Sequence, residues 1–380
     1  MATTLGPWPL GIDNVNPDTD LPEGALRVAD DVLIDLNGTV NSGPGTRLLS
    51  ALDGLSALWT SRTGASYAFL GESVARVDLA GVTPLANVGA TNKGSFADHL
   101  DWVVTCSGGG LHRIRGDQVE PMALPYPAFT VRAGTAGGLD AGRYGVALAT
   151  LRDGEEYALS PISFVNVAQG GGLVLNISDS SQVRIYRTGA NGDQLYRAVD
   201  APAGLPDYLI GAGLLGSLPS SQYLEPLPGG QLIASWNGRL LVARGRTLNF
   251  SQALRPALYD PRHDFLQLPT RLSMLAPVGD GVYLADRVSA WFANGTSPDQ
   301  WVLRRLSAGA PPEGCFAVLP GRLFEEIPDV PVAVWLSETG FVLGLPEGQV
   351  VQPQAKRLRL TRPEHGSLTA LGQRLFALAH

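Results

Sequence analysis

The feature that most constrains the fold is a recurring pattern of two short apolar strands joined by a turn that contains Gly or Asn. The clearest copy occupies residues 232–243, where Asn237-Gly238 separates two apolar runs. Both residues of such a tight hairpin turn adopt positive φ, which Asn and Gly tolerate best. Helical periodicity is nearly absent from the chain, and the pattern therefore predicts an all-β fold built from short hairpins.

Weaker copies of the same pattern recur at a regular spacing. Equivalent positions, such as Tyr67 and Trp102 or Leu240 and Val282, lie about 35 to 42 residues apart. This spacing is typical of propeller blades made of four short strands. Five or six such units can be counted along the chain, and the period therefore predicts a five- or six-bladed β-propeller. A set of unrelated hairpins in stacked sandwiches is the alternative interpretation.

The two ends of the repeat predict how the propeller closes. The last unit has only two clear strands, whereas the N-terminal region supplies orphan strands at 32–36 and 39–40 around an Asn37-Gly38 turn. A propeller has to protect the edge between its first and last blades. We therefore expect N-terminal strands to complete the last blade. Residues 25–126 and 223–380 would form the propeller, and residues 1–24, rich in Pro and Asp or Asn, an irregular arm outside it.

Residues 127–222 interrupt the period. Short apolar strands follow one another there at about 8–12-residue spacing, separated by turn signals such as Asn191-Gly192 and the three glycines at 170–172. This pattern is the signature of a β-sandwich. No Cys pair marks an antibody-type domain, so the segment is predicted to be an inserted immunoglobulin-like sandwich of the fibronectin type III kind.

Composition and charge limit the classes of partner. The formal net charge is −7, and no basic cluster is denser than 356–362. Because phosphate neutralisation drives nucleic-acid binding, sequence-specific recognition of DNA is disfavoured, although passive contact with DNA in the channel of an oligomer stays open. Cys106 and Cys315 are predicted to be buried thiols in strands, which suits assembly in a reducing cytoplasm. No stretch approaches the roughly 18 apolar residues of a membrane-spanning helix.

The sequence predicts no catalytic, metal-binding or cofactor-binding residue. The five histidines show no metal-ligand spacing, and HExxH, GxSxG and P-loop motifs are absent. The acidic groupings at 98–101 and 260–264 are interpreted as a turn and an exposed polar loop, and Glu325-Glu326 as a solvated loop. Arg304-Arg305 and the cations of 356–360 are interpreted as solvated faces of strands. Five tryptophans are predicted to lie in the core between blades: Trp59, Trp102, Trp236, Trp291 and Trp335.

Three groups of motifs resemble tail and head-to-tail structural proteins of tailed bacteriophages. The opening phrase at 11–15 and 21–32 leads to a turn at 41–47 that bears Pro44 and Arg47. Segments 141–144 and 183–188 resemble the sandwich insert of the same group, and 228–243 resembles its central blade. Together these motifs touch most of the chain.

This resemblance implies a non-enzymatic structural protein of the virion, similar to the propeller-bearing nozzle of short-tailed phages. We expect a homo-oligomeric ring in the tail or neck that contacts neighbouring tail proteins and assembles in the host bacterial cytoplasm. A fold-level likeness does not by itself fix function. Two alternatives from other classes therefore stay open: a receptor- or carbohydrate-binding propeller at the tail tip, and a propeller hydrolase with carboxylates around its central channel.

Overall fold

The computed structural model describes residues 7–29, 32–34, 37–42, 53–90, 94–152, 154–178, 181–202, 204–324, 327–361, 364–371 and 374–379. Their regular structure consists of β-strands and four short 3-10 helices, without an α-helix. The all-β prediction is therefore confirmed. No helix in this part of the chain is long and apolar enough to cross a membrane. The turn at 43–47 and Glu325-Glu326, which carried sequence interpretations, lie outside the described residues.

The N-terminal residues form two small pairs of strands. β1 (Gly11–Ile12) runs parallel to β2 (Ala25–Leu26), with a 3-10 turn at Asp18–Asp20 between them, and β3 (Val32–Ile34) pairs antiparallel with β4 (Val40–Ser42). The side chain of Asn14 bonds the backbone N–H and C=O of Arg359, both at 2.8 Å. The predicted arm therefore contains regular structure and is attached to a segment close to the C-terminus.

Five antiparallel sheets of four strands each make up most of the fold. In each sheet the spatial order of the strands follows the sequence, so each sheet is a meander. Sheet I contains β5 (Leu55–Thr60), β6 (Ser66–Leu70), β7 (Ser73–Asp78) and β8 (Gly81–Asn87); sheet II contains β9 (Ser95–His99), β10 (Trp102–Ser107), β11 (Gly110–Arg115) and β12 (Gln118–Pro121).

The inserted segment follows sheet II and forms two sheets that share one core. Its strands are β13 (Phe129–Leu139), β14 (Gly142–Arg152), β15 (Glu155–Leu159), β16 (Ser163–Val167), β17 (Gly171–Ile177), β18 (Val183–Arg187), β19 (Tyr196–Ala201) and β20 (Tyr208–Ile210). β13, β17 and β20 form one sheet, and β14 to β16 with β18 and β19 form the other. A buried cluster that includes Leu148 and Leu175 takes side chains from both.

The remaining sheets follow a short strand, β21 (Glu225–Pro226). Sheet III contains β22 (Leu232–Trp236), β23 (Arg239–Arg244), β24 (Thr247–Phe250) and β26 (Phe265–Gln267), while β25 (Leu258–Tyr259) pairs with β21. Sheet IV contains β27 (Leu272–Val278), β28 (Gly281–Asp286), β29 (Ala290–Asn294) and β30 (Val302–Arg305). Sheet V contains β31 (Phe316–Pro320), β32 (Pro331–Ser337), β33 (Gly340–Gly344) and β34 (Val350–Val351), and the last two strands, β35 (Gly366–Leu371) and β36 (Arg374–Ala379), pair with each other. The other 3-10 helices are Pro298–Gln300, Gly321–Leu323 and Pro346–Gly348.

Successive sheets pack through their first strands, which gives a β-propeller-like arrangement. β5 lies against β9, β9 against β22, β22 against β27, β27 against β31, and β31 against β35. A buried cluster fills each of these five interfaces. Aromatic pairs mark two of them, with ring centroids 4.8 Å apart for Phe69 and Phe96 and 5.7 Å apart for Tyr283 and Trp335.

Burial on both faces explains the continuous apolar runs in the middle strands. In β23, Leu240 and Val242 belong to the cluster shared with sheet II, whereas Leu241 and Ala243 belong to the cluster shared with sheet IV. Alternate side chains of a strand point to opposite faces, so a strand covered on both sides is apolar throughout. The preceding turn has the predicted geometry, since Asn237 and Gly238 have φ of 46° and 72°.

The predicted strand at 356–360 is wrong. Residues 353–357 form turns and residues 358–361 are irregular. The carbonyl of Gln354 accepts the N–H groups of Arg357 and Leu358, both at 2.9 Å, which closes the chain into a tight turn. The backbone of Arg357 and Arg359 then pairs with Asn14 instead of a neighbouring strand. In contrast, Arg304-Arg305 does lie on an exposed strand, β30.

Closure by N-terminal strands stays a prediction. Among the described residues, the β3–β4 pair and the β35–β36 pair each form a separate two-stranded sheet. Both cysteines are buried as predicted, but only Cys106 lies in a strand, β10, whereas the predicted strand position of Cys315 is wrong because this residue precedes β31. Burial raises the pKa of the Cys106 thiol to about 12, so that this group stays protonated at neutral pH.

Candidate functional site

A cavity of about 230 Å³ lies where three parts of the fold meet. Sheet II contributes residues of β9, β10 and β11, the insert contributes the end of β14 and the start of β15, and the third wall is residues 254–258 between β24 and β26. We call it the junction cavity. Binding sites are common in such clefts between structural units.

His99 is the last residue of β9, and the turn that follows it forms one wall of the cavity. The grouping at 98–101 is the predicted hairpin turn, with Leu100-Asp101 joining β9 to β10. The His99 side chain is buried, and its Nδ1 lies 2.8 Å from the Ser235 hydroxyl oxygen on β22. Its Nε2 has no hydrogen-bond partner among the described residues. Burial lowers the pKa of His99, so that the imidazole is neutral at pH 7.

Trp102 lines the same wall and is only half-buried. The guanidinium carbons of Arg113 and Arg115 lie 4.3 and 3.9 Å from the centre of its ring, within cation–π range. The prediction of a tryptophan core is therefore confirmed in full only for Trp236 and Trp335, which are buried between sheets. The other three pack against the clusters with part of the ring exposed: Trp59, Trp102 and Trp291.

A chain of charges connects sheet II to the insert beside the cavity. Glu120 on β12 accepts hydrogen bonds from Arg113 on β11, at 3.0 Å, and from Arg152 on β14. The hydrogen bond from Arg113 and the neighbouring charge of Arg152 hold the pKa of Glu120 below its usual value. Glu120 therefore stays ionised and bridges the two parts of the fold.

A second carboxylate attaches the segment that leaves the insert. Glu156 is buried and accepts hydrogen bonds from Arg184, from the Tyr186 hydroxyl, and from both the backbone N–H and the hydroxyl of Ser221. Burial first, and then the hydrogen bond to Glu156, raise the pKa of Tyr186. Glu156 thus holds the chain between β20 and β21 against the insert.

The loop at 260–264 differs from the exposed loop that the sequence predicted. Arg262 and His263 are exposed, but Asp260 and Asp264 are buried. Asp264 accepts the backbone N–H of Asp260 at 2.7 Å, and His263 Nδ1 lies 2.8 Å from the other oxygen of Asp264. The two carboxylates point inward because they satisfy the donors of their own loop.

Acid is expected to remove the contribution of Asp260 to stability. Hydrogen bonds from Arg262 lower the pKa of Asp260 from 3.8 to about 2. Because this pKa is lower in the folded chain than in the unfolded chain, the stabilisation is fully present above about pH 4 and is lost as the pH falls toward 2. The free energy of unfolding in urea should therefore fall more steeply below about pH 4 for the wild type than for Asp260→Asn. Parallel curves for the two proteins would contradict this assignment.

Two leucines in strained backbone conformations form the rim of the cavity. Leu100 has φ of 53° and is 65% exposed, and Leu254 has φ of 58° and is 71% exposed. Residues other than Gly rarely adopt positive φ, and such strain concentrates at functional sites. The sequence carried no signal for these two positions, because neither Gly nor Asn marks them. No group of His, Cys, Asp and Glu in the described residues is arranged to hold a metal ion.

Comparison with known proteins leaves the family of this chain undetermined. No protein-family model and no curated protein matches it. Similar solved structures include a streptogramin B lyase (10% identity, 84% of this chain and 88% of that chain, TM-score 0.36) and a catalytically inactive virginiamycin B lyase from Staphylococcus aureus with quinupristin (12%, 87% and 96%, TM-score 0.35). A third is the AfRom2 CNH domain (9%, 78% and 95%, TM-score 0.21). At these scores the likeness carries no argument about activity.

Proposed function

We propose that the chain is a structural component of a tailed-phage virion, where it forms an oligomeric ring in a tail or head-to-tail (nozzle-like) assembly. In this proposal, sheets I to V are five blades of a six-bladed propeller. The β35–β36 hairpin with N-terminal strands is the sixth blade, and the two inserted sheets are a fibronectin type III-like domain. The motifs that resemble phage tail proteins support this function, and an exposed apolar segment on the surface gives further support.

The carrying observation is an exposed apolar segment at 211–219, which we call the leucine segment. Leu214 is 100% exposed, and Leu215 and Leu218 are also exposed. The backbone that presents them is nevertheless fixed, because Gly216 and Ser217 exchange hydrogen bonds with Arg197 at 2.8 and 2.9 Å. Apolar side chains held in place on the surface are typical of subunit interfaces, since little ordering is required when the partner binds.

The proposal predicts that the chain is a stoichiometric part of phage particles. Quantitative mass spectrometry of purified particles should find a small, ring-sized number of copies relative to the major capsid protein. A chain carrying Leu214→Asp and Leu218→Asp should be incorporated at least about tenfold less, because two buried unpaired carboxylates would destabilise the interface.

Leu79→Asp is the matched control. Leu79 is 96% exposed but lies at the β7–β8 turn of sheet I, far from the leucine segment in sequence. Its variant should be incorporated as well as the wild type. Particles that assemble without the chain would overturn the proposed function, and normal incorporation of the Leu214 and Leu218 variant would remove the leucine segment from it.

A further inference from the structure

We infer that the contact between sheets II and III is an acid-sensitive point of the fold, at which protonation of His99 favours opening of the interface between the two sheets. This inference goes beyond the structural role proposed above and does not depend on it. It rests on the burial of the imidazole, on the charges of the described residues around it, and on the way the chain connects the two sheets.

The chain itself holds sheets II and III together less closely than the other neighbouring sheets. Short segments join sheets I and II, sheets III and IV, and sheets IV and V, whereas the whole insert separates β12 from β22. Two side chains of β9 bridge to β22 instead. Ser95 accepts the N–H of Ile233 at 2.7 Å, and His99 Nδ1 lies 2.8 Å from the Ser235 hydroxyl. Opening of this interface therefore does not have to stretch a short connection.

A second proton on His99 would have no acceptor. The side chain is buried, its Nδ1 is used by Ser235, and its Nε2 is inaccessible to solvent and has no hydrogen-bond partner among the described residues. The neutral ring carries one N–H, whereas the imidazolium carries an N–H on both nitrogens. Protonation in the closed interface would therefore bury a charge together with an unsatisfied donor, which is far more unfavourable than burial of the neutral ring.

The charges around His99 do not compensate an imidazolium. The three strands packed against β9, which are β5, β10 and β22, contain no charged residue. Within β9, the carboxylate of Asp98 accepts the backbone N–H of Arg62 at 3.1 Å and lies 3.8 Å from its guanidinium Nε, so this carboxylate already has a cationic partner. Five charged residues line the junction cavity beside His99, and none of them bonds its ring: Arg113, Arg152, Glu155, Glu156 and Arg255.

The direction of the pKa shift gives the pH range of the effect. Burial first, and then the positive charge of Arg62, lower the pKa of His99 from the 6.5 of a solvated histidine. Because this pKa is lower in the closed interface than in the open one, the stabilisation by neutral His99 is fully present above about pH 6.5. It is lost as the pH falls from there toward the lowered pKa. Mild acid therefore shifts the equilibrium toward the open interface.

The native Cys106 thiol reports opening of this interface. Cys106 is buried in the cluster between sheets II and III, so it reacts with a dithiodipyridine, a reagent that also modifies thiols in mild acid, only when the interface opens. The rate for the folded full chain is divided by the rate for the same cysteine in the urea-unfolded chain at the same pH, which removes the pH dependence of the reaction itself. Between about pH 7.5 and about pH 5 we expect this relative rate to rise by about threefold to about thirtyfold, the upper limit being set by a pKa of about 6.5 in the open state.

His99→Asn places an amide near the position of Nδ1 and cannot be protonated, so its relative rate at Cys106 should change by less than about twofold over the same range. His112→Asn is the matched control. His112 is a half-buried histidine of the same sheet, but it alternates along β11 with Leu111, which faces sheet III, and therefore points to the opposite face. Its variant should keep the wild-type rise.

Arg62→Gln keeps the inference testable if His99→Asn does not fold. The Arg62 side chain is largely exposed, and its removal takes away the like charge and frees Asp98, which brings the pKa of His99 closer to its usual value. The rise at Cys106 should therefore be at least about halved. A relative rate in the wild type that stays within about twofold would overturn the inference. So would a full rise in His99→Asn or Arg62→Gln, or a rise that disappears in His112→Asn.

Discussion

Trp335→Ala is expected to lower the free energy of unfolding by about 3–5 kcal/mol. Trp335 is fully buried in β32, inside the cluster between sheets IV and V. Its indole N–H donates to the carbonyl of Gly309 at 2.9 Å, and its ring packs against Tyr283. Removal of the ring leaves a large cavity between two sheets and an unpaired carbonyl. Urea unfolding followed by circular dichroism would measure the loss.

Trp335→Phe is the control that separates packing from hydrogen bonding. It keeps an aromatic ring at the interface but removes the bond to Gly309, so it should cost about 1–3 kcal/mol. A similar loss for the Ala and Phe variants would mean that the hydrogen bond dominates. A loss below about 1 kcal/mol for Trp335→Ala would contradict the packing of sheets IV and V.

Glu156→Ala is expected to destabilise the insert by about 3–5 kcal/mol. Arg184 would keep its bonds to Asp200, at 2.7 and 2.9 Å. The Tyr186 hydroxyl and the two donors of Ser221, however, would lose their shared acceptor in a buried place. Because an insert can unfold separately from the rest of a chain, the measurement should be local. Native-state hydrogen exchange of β14 and β18 meets this need.

The adjacent residue supplies a matched control. Glu155 has the same charge and sits next in sequence, but it is exposed, and no hydrogen bond or ion pair joins its carboxylate to another of the described residues. Glu155→Ala should therefore change the exchange of β14 and β18 by less than about 0.5 kcal/mol. Equal effects of the two substitutions would show that net charge, and not the buried hydrogen bonds of Glu156, stabilises the insert.

The parts of the fold that depend on local sequence were predictable. The Asn237-Gly238 turn could be placed because its backbone geometry restricts the residues that fit. The apolar run of β23 predicted a strand, which the structure shows to be covered on both faces. Long-range partners were not predictable. Residues 356–360 alternate like a strand, yet a turn at Gln354 and pairing with Asn14, 345 residues away, decide their structure.

The candidate site could not be predicted from the sequence for the same reason. The junction cavity needs His99, Arg152 and Ala257, which come from three separate parts of the chain. No spacing in the sequence indicates that they meet. The composition of the loop predicts exposed Asp260 and Asp264, because sequence alone does not show the donors within the loop that these buried carboxylates satisfy.

The interface between sheets II and III has a consequence for how the chain folds. Ser95 accepts the N–H of Ile233 at 2.7 Å across 138 residues, and His99 meets Ser235 across 136. Contacts between such distant positions raise contact order and slow the conformational search. The strands of the inserted sheets pair over much shorter separations, the most distant partners being Phe129 and Ile177. The insert is therefore expected to form earlier and to replace most of the intervening flexible chain with a compact body. The insert, which interrupts the repeat in sequence, thus shortens the flexible chain between the two halves of the repeat and helps them to pair earlier.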